Sequence, residues 1–317
     1  MGVRPDPVPK REAYLSVHES GTSENGSSQD LHSPKQVARA FGVSEATMKR
    51  WCDRGLLTVN RTAGGHRRIP SQAVLAFLKS AKQTLVYPEL LGLPPNTGRK
   101  TSKMETAVPD LPNRLIQGEV DTARGMVLDL YLSGVPLHDI FDKVLAPAFR
   151  EIGCGWESGD VQIYQERWSC NVCMYLLLQI SELLDKPRSG GPKAIGGTLS
   201  LDHYQIPVLM GALVLRTHGW NAEVLGTNLP GATLATAVRQ KQPSLVWLSV
   251  SHIADDSQFL EEYGQLKAAC DKTGAWLVIG GRALTPDRRT RLGYTAYCDT
   301  MAHFASFLTS TGTERPS

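Results

Sequence analysis

Two groups of residues in this sequence carry types and spacings that could do chemistry. The first lies between Ser33 and Arg68. Thr47, Lys49 and Arg50 are the polar positions of a short segment, and Arg61, His66, Arg67 and Arg68 flank the pair Gly64-Gly65. A basic, flexible tip beside a basic helix suits the backbone and base edges of a duplex. The second group is Cys170 and Cys173, three apart, with Cys154 nearby. That spacing turns two thiols to one side of a helix and permits half a metal site or a redox pair. No second Cys-x-x-Cys is present to complete a zinc site, and buried free thiols in a helical bundle are the plainer reading.

The elements that must position the first group are legible. Val37, Ala38 and Phe41 give helical spacing behind Ser33 as N-cap and Pro34 at the first position. Gly42-Val43 makes a turn, and Ser44 caps a second helix with Ala46, Met48 and Trp51 on its apolar side. Two short helices joined by a tight turn form a helix-turn-helix, whose second helix can enter the major groove. The stretch from Arg61 to Arg68 reads as a hairpin. Ser71 to Ser80 supplies a closing helix with Val74, Phe77 and Leu78.

The totals bound the rest. A chain of 317 residues holds two or three domains, and a net charge of +3 does not itself imply nucleic acid. No apolar run approaches a membrane span and no signal-peptide core precedes the head, so a cytoplasmic protein without membrane contact is expected. Six scattered cysteines do not suggest a disulfide scaffold.

The chain divides into a disordered leader (1–30), a winged helix-turn-helix (31–82), a linker (83–112), a four-helix-type bundle (113–188), an α/β domain (189–312) and a tail (313–317). The bundle rests on Met126, Leu130, Leu137, Phe141, Leu145 and Phe149, then on a long helix from about Val161 to Leu184. From Lys193 on, short strands at Ala194–Leu199, Ala222–Leu225, Leu245–Val250 and Trp276–Ile279 alternate with helices, and a last one falls near Ala296. Alternation of this kind specifies a flavodoxin-like, doubly wound parallel sheet, whose ligands bind beyond the carboxyl ends of the strands.

On these residues, Ser33 to Arg68 resembles the winged helix-turn-helix of MerR-type and excisionase-type regulators. The cap, Trp51, the Gly55-Leu56-Leu57 turn and the string Gly64-Gly65-His66-Arg67-Arg68 occur in the family's order. The resemblance implies that Thr47, Lys49 and Arg50 face DNA, and that Arg61, Arg67 and Arg68 grip its backbone, with His66 in the wing. The remainder, to about Leu308, is similar to the cobalamin-binding module of methionine synthase and of light-sensing cobalamin-dependent MerR-type repressors. The segments YLSGVPLHDIFDKVLAPAFREIGCGWESGD and MGALVLRTHGWNAEVLGTNLP carry that likeness.

In the light-sensing family a tryptophan, nine residues, then Glu-His cover the upper face of the cofactor. Trp156 and Glu166 match here, and Arg167 stands in place of the histidine. In the sheet domain the family has an acidic residue, any residue, then His-x-x-Gly, where the histidine ligates cobalt from below. Aligned on Asp202 and His203, the ligand position is Tyr204 and the glycine is Pro207, with His203 an adjacent, weak substitute as metal ligand. A protonated phenol is a poor ligand where a neutral imidazole is a good one. Ser249 and Ser251 match the serine region, and Gly280 and Gly281 match the glycines that leave room for the nucleotide tail.

The resemblance implies a transcriptional regulator that binds a double-stranded DNA operator as a homo-oligomer, dimer or tetramer, and whose C-terminal module senses cobalamin or light. Four alternatives stay open from the residues: a different tetrapyrrole such as haem or a bilin; no ligand, with a degenerate fold kept for oligomerisation; a corrinoid-dependent methyltransferase component; and a pure scaffold. No nucleophile-base-acid set argues for an enzyme.

Overall fold

A computed structural model describes residues 31–81, 83–95, 97–99, 103–184 and 190–311. The expected leader (1–30) and tail (313–317) lie outside the described residues.

The head begins with β1 (Leu31–His32), α1 (Pro34–Phe41) and α2 (Glu45–Asp53). Ser33 and Ser44 cap the two helices as the sequence predicts, each hydroxyl accepting an amide three residues on. Gly42 ends α1 in the left-handed region (φ 66°), which a β-carbon would disfavour. The hairpin follows as β2 (Asn60–Arg61) and β3 (Arg67–Pro70), with β1 on the other edge of β3, and α3 (Ser71–Ser80) closes the head. At its centre Phe41 packs edge to face on Trp51 and Phe77, which are tilted against each other, with centroids 5.0–5.7 Å apart.

The stretch expected to be a linker is packed instead. The amides of Val86 and Tyr87 donate to the Ala40 carbonyl, Leu85 and Leu91 are buried, and a 3-10 turn spans Pro88–Leu91. Gln36 reaches the Leu90 carbonyl at 2.6 Å. Helix α4 (Met104–Ile116) then starts inside the expected linker and runs through Pro109 and Pro112. Apolar Leu85, Leu91, Ala107 and Leu111 outweigh the prolines and polar residues on which the linker reading rested. The head is also docked on the bundle: Gln72 donates to the Leu184 carbonyl at 2.9 Å, and the Lys79 ammonium lies 4.0 Å over the Tyr131 ring.

The bundle comprises α4, α5 (Val120–Leu132), α6 (Leu137–Ile140) continuing through a π-turn (Phe141–Leu145) into α7 (Ala146–Ser158), and α8 (Ile163–Leu183). Three positions follow from its apolar spacing: Val172, Leu176 and Ile180 of α8 are buried among the other helices.

The α/β domain runs β4 (Lys193–Leu199), α9 (Gln205–Thr217), β5 (Asn221–Leu229), α10 (Gly231–Lys241), β6 (Leu245–Ser249), α11 (Asp256–Thr273), β7 (Trp276–Gly280), α12 (Pro286–Arg289), β8 (Ala296–Tyr297) and α13 (Met301–Thr311). The parallel sheet has the order β5-β4-β6-β7-β8, the flavodoxin-like arrangement with a topological switch between β4 and β6. Helices α10 and α11 cover one face; α9 and α13 cover the other and join it to the bundle. Asp142 of the π-turn accepts from the Met301 and Ala302 amides at 2.9 and 2.8 Å, capping α13 from outside the sheet domain.

Candidate ligand cavity and nucleic-acid interface

On the head, Glu45, Ala46, Lys49 and Arg50 form the exposed side of α2, opposite buried Met48 and Cys52. Thr47 is half-buried, its hydroxyl 3.0 Å from that of Ser44. Arg61 to His66 are exposed at the hairpin tip, where Gly65 takes φ 74°. The arginines of β3 differ from that picture. Arg67 pairs with Asp53 of α2 at 2.7 Å, and Arg68 donates to the Arg67 carbonyl. Arg67 thus ties the hairpin to α2, a partner that spacing alone did not reveal.

At the carboxyl edge of the sheet, Asp202 is buried and its carboxylate is committed to backbone. One oxygen accepts from the Ser251 and His252 amides at 2.6 and 3.2 Å, the other from the Tyr204 amide at 3.1 Å. The loops after β4 and β6 are held together by one side chain. His203 and Tyr204 are both exposed. Arg282, which follows Gly280 and Gly281, donates to the Tyr204 hydroxyl at 3.2 Å and to the Ser251 carbonyl at 3.3 Å. Gly280 and Gly281 are required by backbone: a β-carbon on either would lie 2.3 Å from the Cys298 carbonyl oxygen or 2.2 Å from that of Val250.

Behind this edge lies a cavity of about 290 Å³ between the sheet and α9 and α13, closed on one side by Phe141 and Asp142 of the bundle. Alternation along β6 sends Leu245, Trp247 and Ser249 to this face and Val246 and Leu248 to the other. The Trp247 ring fits between Gly196 of β4 and Gly211 of α9, and its indole nitrogen donates to the Val208 carbonyl at 3.2 Å. The Ser249 hydroxyl is buried at the cavity wall, with no hydrogen-bond partner among the described residues. A polar atom left so is what a ligand or ordered water would satisfy. Sequence reasoning missed Arg282, Trp247 and Asp142; only Arg282 left a signal, as a charged residue two positions after a strand end.

Trp156, Glu166 and Arg167 form a separate group at the α7–α8 corner. Trp156 is half-exposed, and Arg167, largely exposed, pairs with Glu166 at 3.4 Å. Cys170 donates to Glu166 at 3.4 Å; burial and that carboxylate push its thiol up to about 12, and burial pushes Cys173 up as well. Neither is poised as a thiolate. No cluster of three or more His, Cys, Asp or Glu residues suited to a metal occurs among the described residues.

Residues 33–82 match a helix-turn-helix domain family, and residues 110–179 match a B12 binding domain family. The transcriptional repressor CarA of Myxococcus xanthus is 24% identical over 258 residues, 78% of this chain and 85% of that protein. The chain joins a helix-turn-helix to a B12-binding-type module and is homologous to CarA- and CarH-type repressors. CarH of the same organism is 29% identical over 157 residues, 50% of this chain and about half (52%) of CarH itself. A monomethylamine corrinoid protein of Methanosarcina barkeri superposes over 66% of this chain and all of that one, with TM-score 0.56 and 15% identity, a likeness of fold.

In the loop after β4, His203 is exposed while the side chains on either side of it are engaged within the protein. The Tyr204 phenol is engaged by Arg282. The Asp202 carboxylate holds three backbone amides. The cavity with its orphan serine remains.

Proposed function

We propose that this chain binds a DNA operator through α2 and the hairpin tip, and that its B12-binding-type module sets how many heads act together. The observation that carries this reading is the exposed basic face of α2 beside an exposed Arg61–His66 tip on a head whose α3 is anchored to the bundle. Lys49 and Arg50 supply base-edge and phosphate contacts, and Arg61 supplies salt-dependent affinity. Arg67 acts through Asp53 to hold the wing in place, and Arg68 and His66 line its approach. The chain acts on cytoplasmic DNA as a regulator, in keeping with its homology to repressors.

The module's small molecule, on this proposal, enters the cavity beside Ser249 rather than being held through a metal bond from the β4–α9 loop. Its lining is mostly apolar, with Met210, Trp247, Val278 and Phe304 on the walls. The experiment is footprinting of genomic fragments with the intact chain. A protected, inverted or direct repeat is expected; protection of no site by the full-length protein would defeat the reading.

A further inference from the structure

Helix α8 is apolar on two faces, and only one of them is covered. Its inner face packs in the bundle. Its outer face carries Tyr164, Trp168, Asn171, Tyr175, Leu178 and Glu182, in steps of four, three, four, three and four residues. That rhythm is the a/d seam of a coiled coil, and it lies in solvent. Tyr164 is 72% exposed, Tyr175 65%, Leu178 50% and Trp168 47%. An isolated exposed aromatic needs no explanation, but a stripe of them about 21 Å long does. The Trp168 ring is already placed, its indole nitrogen 3.1 Å from where a β-carbon on Gly118 would sit.

We propose that this seam is covered by the α8 of a second copy, packed antiparallel across a two-fold axis at Asn171. That axis sets Tyr164 against Leu178, Trp168 against Tyr175, and Asn171 against its own copy, whose amide both donates and accepts. Large side chains then meet smaller ones along the seam. A parallel pair would instead stack Trp168 on Trp168 and bring the two Glu182 carboxylates together. The antiparallel pair keeps those carboxylates about 33 Å apart. A polar residue at one seam position fixes register, and Asn171 serves that purpose at the axis. The four large seam residues expose on the order of 500 Å² per copy. Doubled, this is about the 1,000 Å² that a specific interface should clear, and flanking residues such as Ile163 extend it.

The proposal rests on the regulator reading only for its purpose, which is to join two DNA-binding heads. Sedimentation of the full chain should show a dimer or a multiple of one, and Asn171→Asp should raise its dissociation constant at least tenfold by facing two carboxylates across the axis. Asn171 is exposed, so that variant keeps its fold; circular dichroism confirms this. In the double variant Tyr164→Cys, Leu178→Cys, oxidation followed by peptide mass mapping should find position 164 joined to position 178 of the other copy. A monomeric parent chain, an unchanged dissociation constant for Asn171→Asp, or 164–164 crosslinks would overturn the proposal. Occupation of the seam by residues 1–30 of the same chain would appear as the monomeric outcome. The regulator reading is judged separately: the Asn171→Asp chain should still retard a single half-site at low salt, and loss of all DNA binding in the dimeric parent would count against that reading alone.

Discussion

Arg282 lies over the Tyr204 ring, its guanidinium carbon 5.1 Å from the centroid, and donates to the same residue's hydroxyl at 3.2 Å. The loops after β4, β6 and β7 are therefore latched to one another by Asp202 and Arg282. The expected consequence is spectroscopic. The parent chain, mixed in the dark with hydroxocobalamin and desalted, should show no nitrogen-ligated cobalt spectrum. Tyr204→His combined with Arg282→Gln should restore an imidazole to a loop freed of its latch, with retention of the corrinoid at least about tenfold above the parent. A parent chain that already carries a shifted visible band after desalting would refute this account of the loop.

The Trp247 ring is the second determinant of the cavity, and its tolerance is narrow. A β-carbon at Gly196 would lie 2.1 Å from two ring atoms, and one at Gly211 would lie 3.0 Å from the indole nitrogen. Gly196→Ala should destabilise the chain by about 3 kcal/mol, the upper range for overpacking. Trp247→Leu removes the obstacle and leaves a void, costing roughly 3 kcal/mol by itself. Because both act at one contact, the double variant should be no less stable than Trp247→Leu alone. Urea midpoints of the three variants check this, and simple additivity would show that the contact is not what confines residue 196.

In the head, the two wing arginines should separate by assay. Arg61 is exposed at the tip, so Arg61→Ala should lower the slope of log K against log salt by about 0.9 and weaken operator and unrelated DNA alike. Arg67 is joined to Asp53. Arg67→Ala should cost the head roughly 0.5–1 kcal/mol in stability, as loss of a partly exposed ion pair does. Its salt slope should stay close to the parent's. Equal slopes for the two variants, measured by fluorescence anisotropy over a salt series, would return Arg67 to the phosphate backbone.

Much of this was legible in the sequence because the signals were local. Ser33, Ser44 and Gly42 fix the head by capping chemistry, and β6 and β7 announce themselves as short apolar runs. The misreading of 83–112 has the same root. Prolines and polar residues argue locally for a loop, whereas Leu85, Leu91 and Leu111 gain their stability from partners far along the chain. The sheet-edge site was legible only as a likeness. The Tyr204–Arg282 pair joins residues 78 positions apart, and the Asp202 amides bridge about 50, distances that no periodicity encodes. The α8 seam was hidden for a further reason: its stripe is interleaved with the inner apolar positions, so the summed pattern looks like one buried helix.

The orphan hydroxyl of Ser249 decides whether the cavity is a site or a packing remnant. A buried hydroxyl without a partner opposes folding, so a purely structural Ser249 should be replaceable by alanine at no cost, or with a gain of up to about 1 kcal/mol. In thermal unfolding, Ser249→Ala is accordingly expected to match or exceed the parent. Ligand binding should move the other way. An aromatic probe that enters beside Trp247, such as 1-anilinonaphthalene-8-sulfonate read by energy transfer from tryptophan, should bind Ser249→Ala about three- to tenfold more weakly if it hydrogen-bonds the hydroxyl. The other five tryptophans also transfer energy, but they are identical in parent and variant, and only Trp247 lines the cavity. Equal probe affinity with and without the hydroxyl, together with unchanged stability, would mean that Ser249 faces water and that the cavity takes its ligand by shape alone.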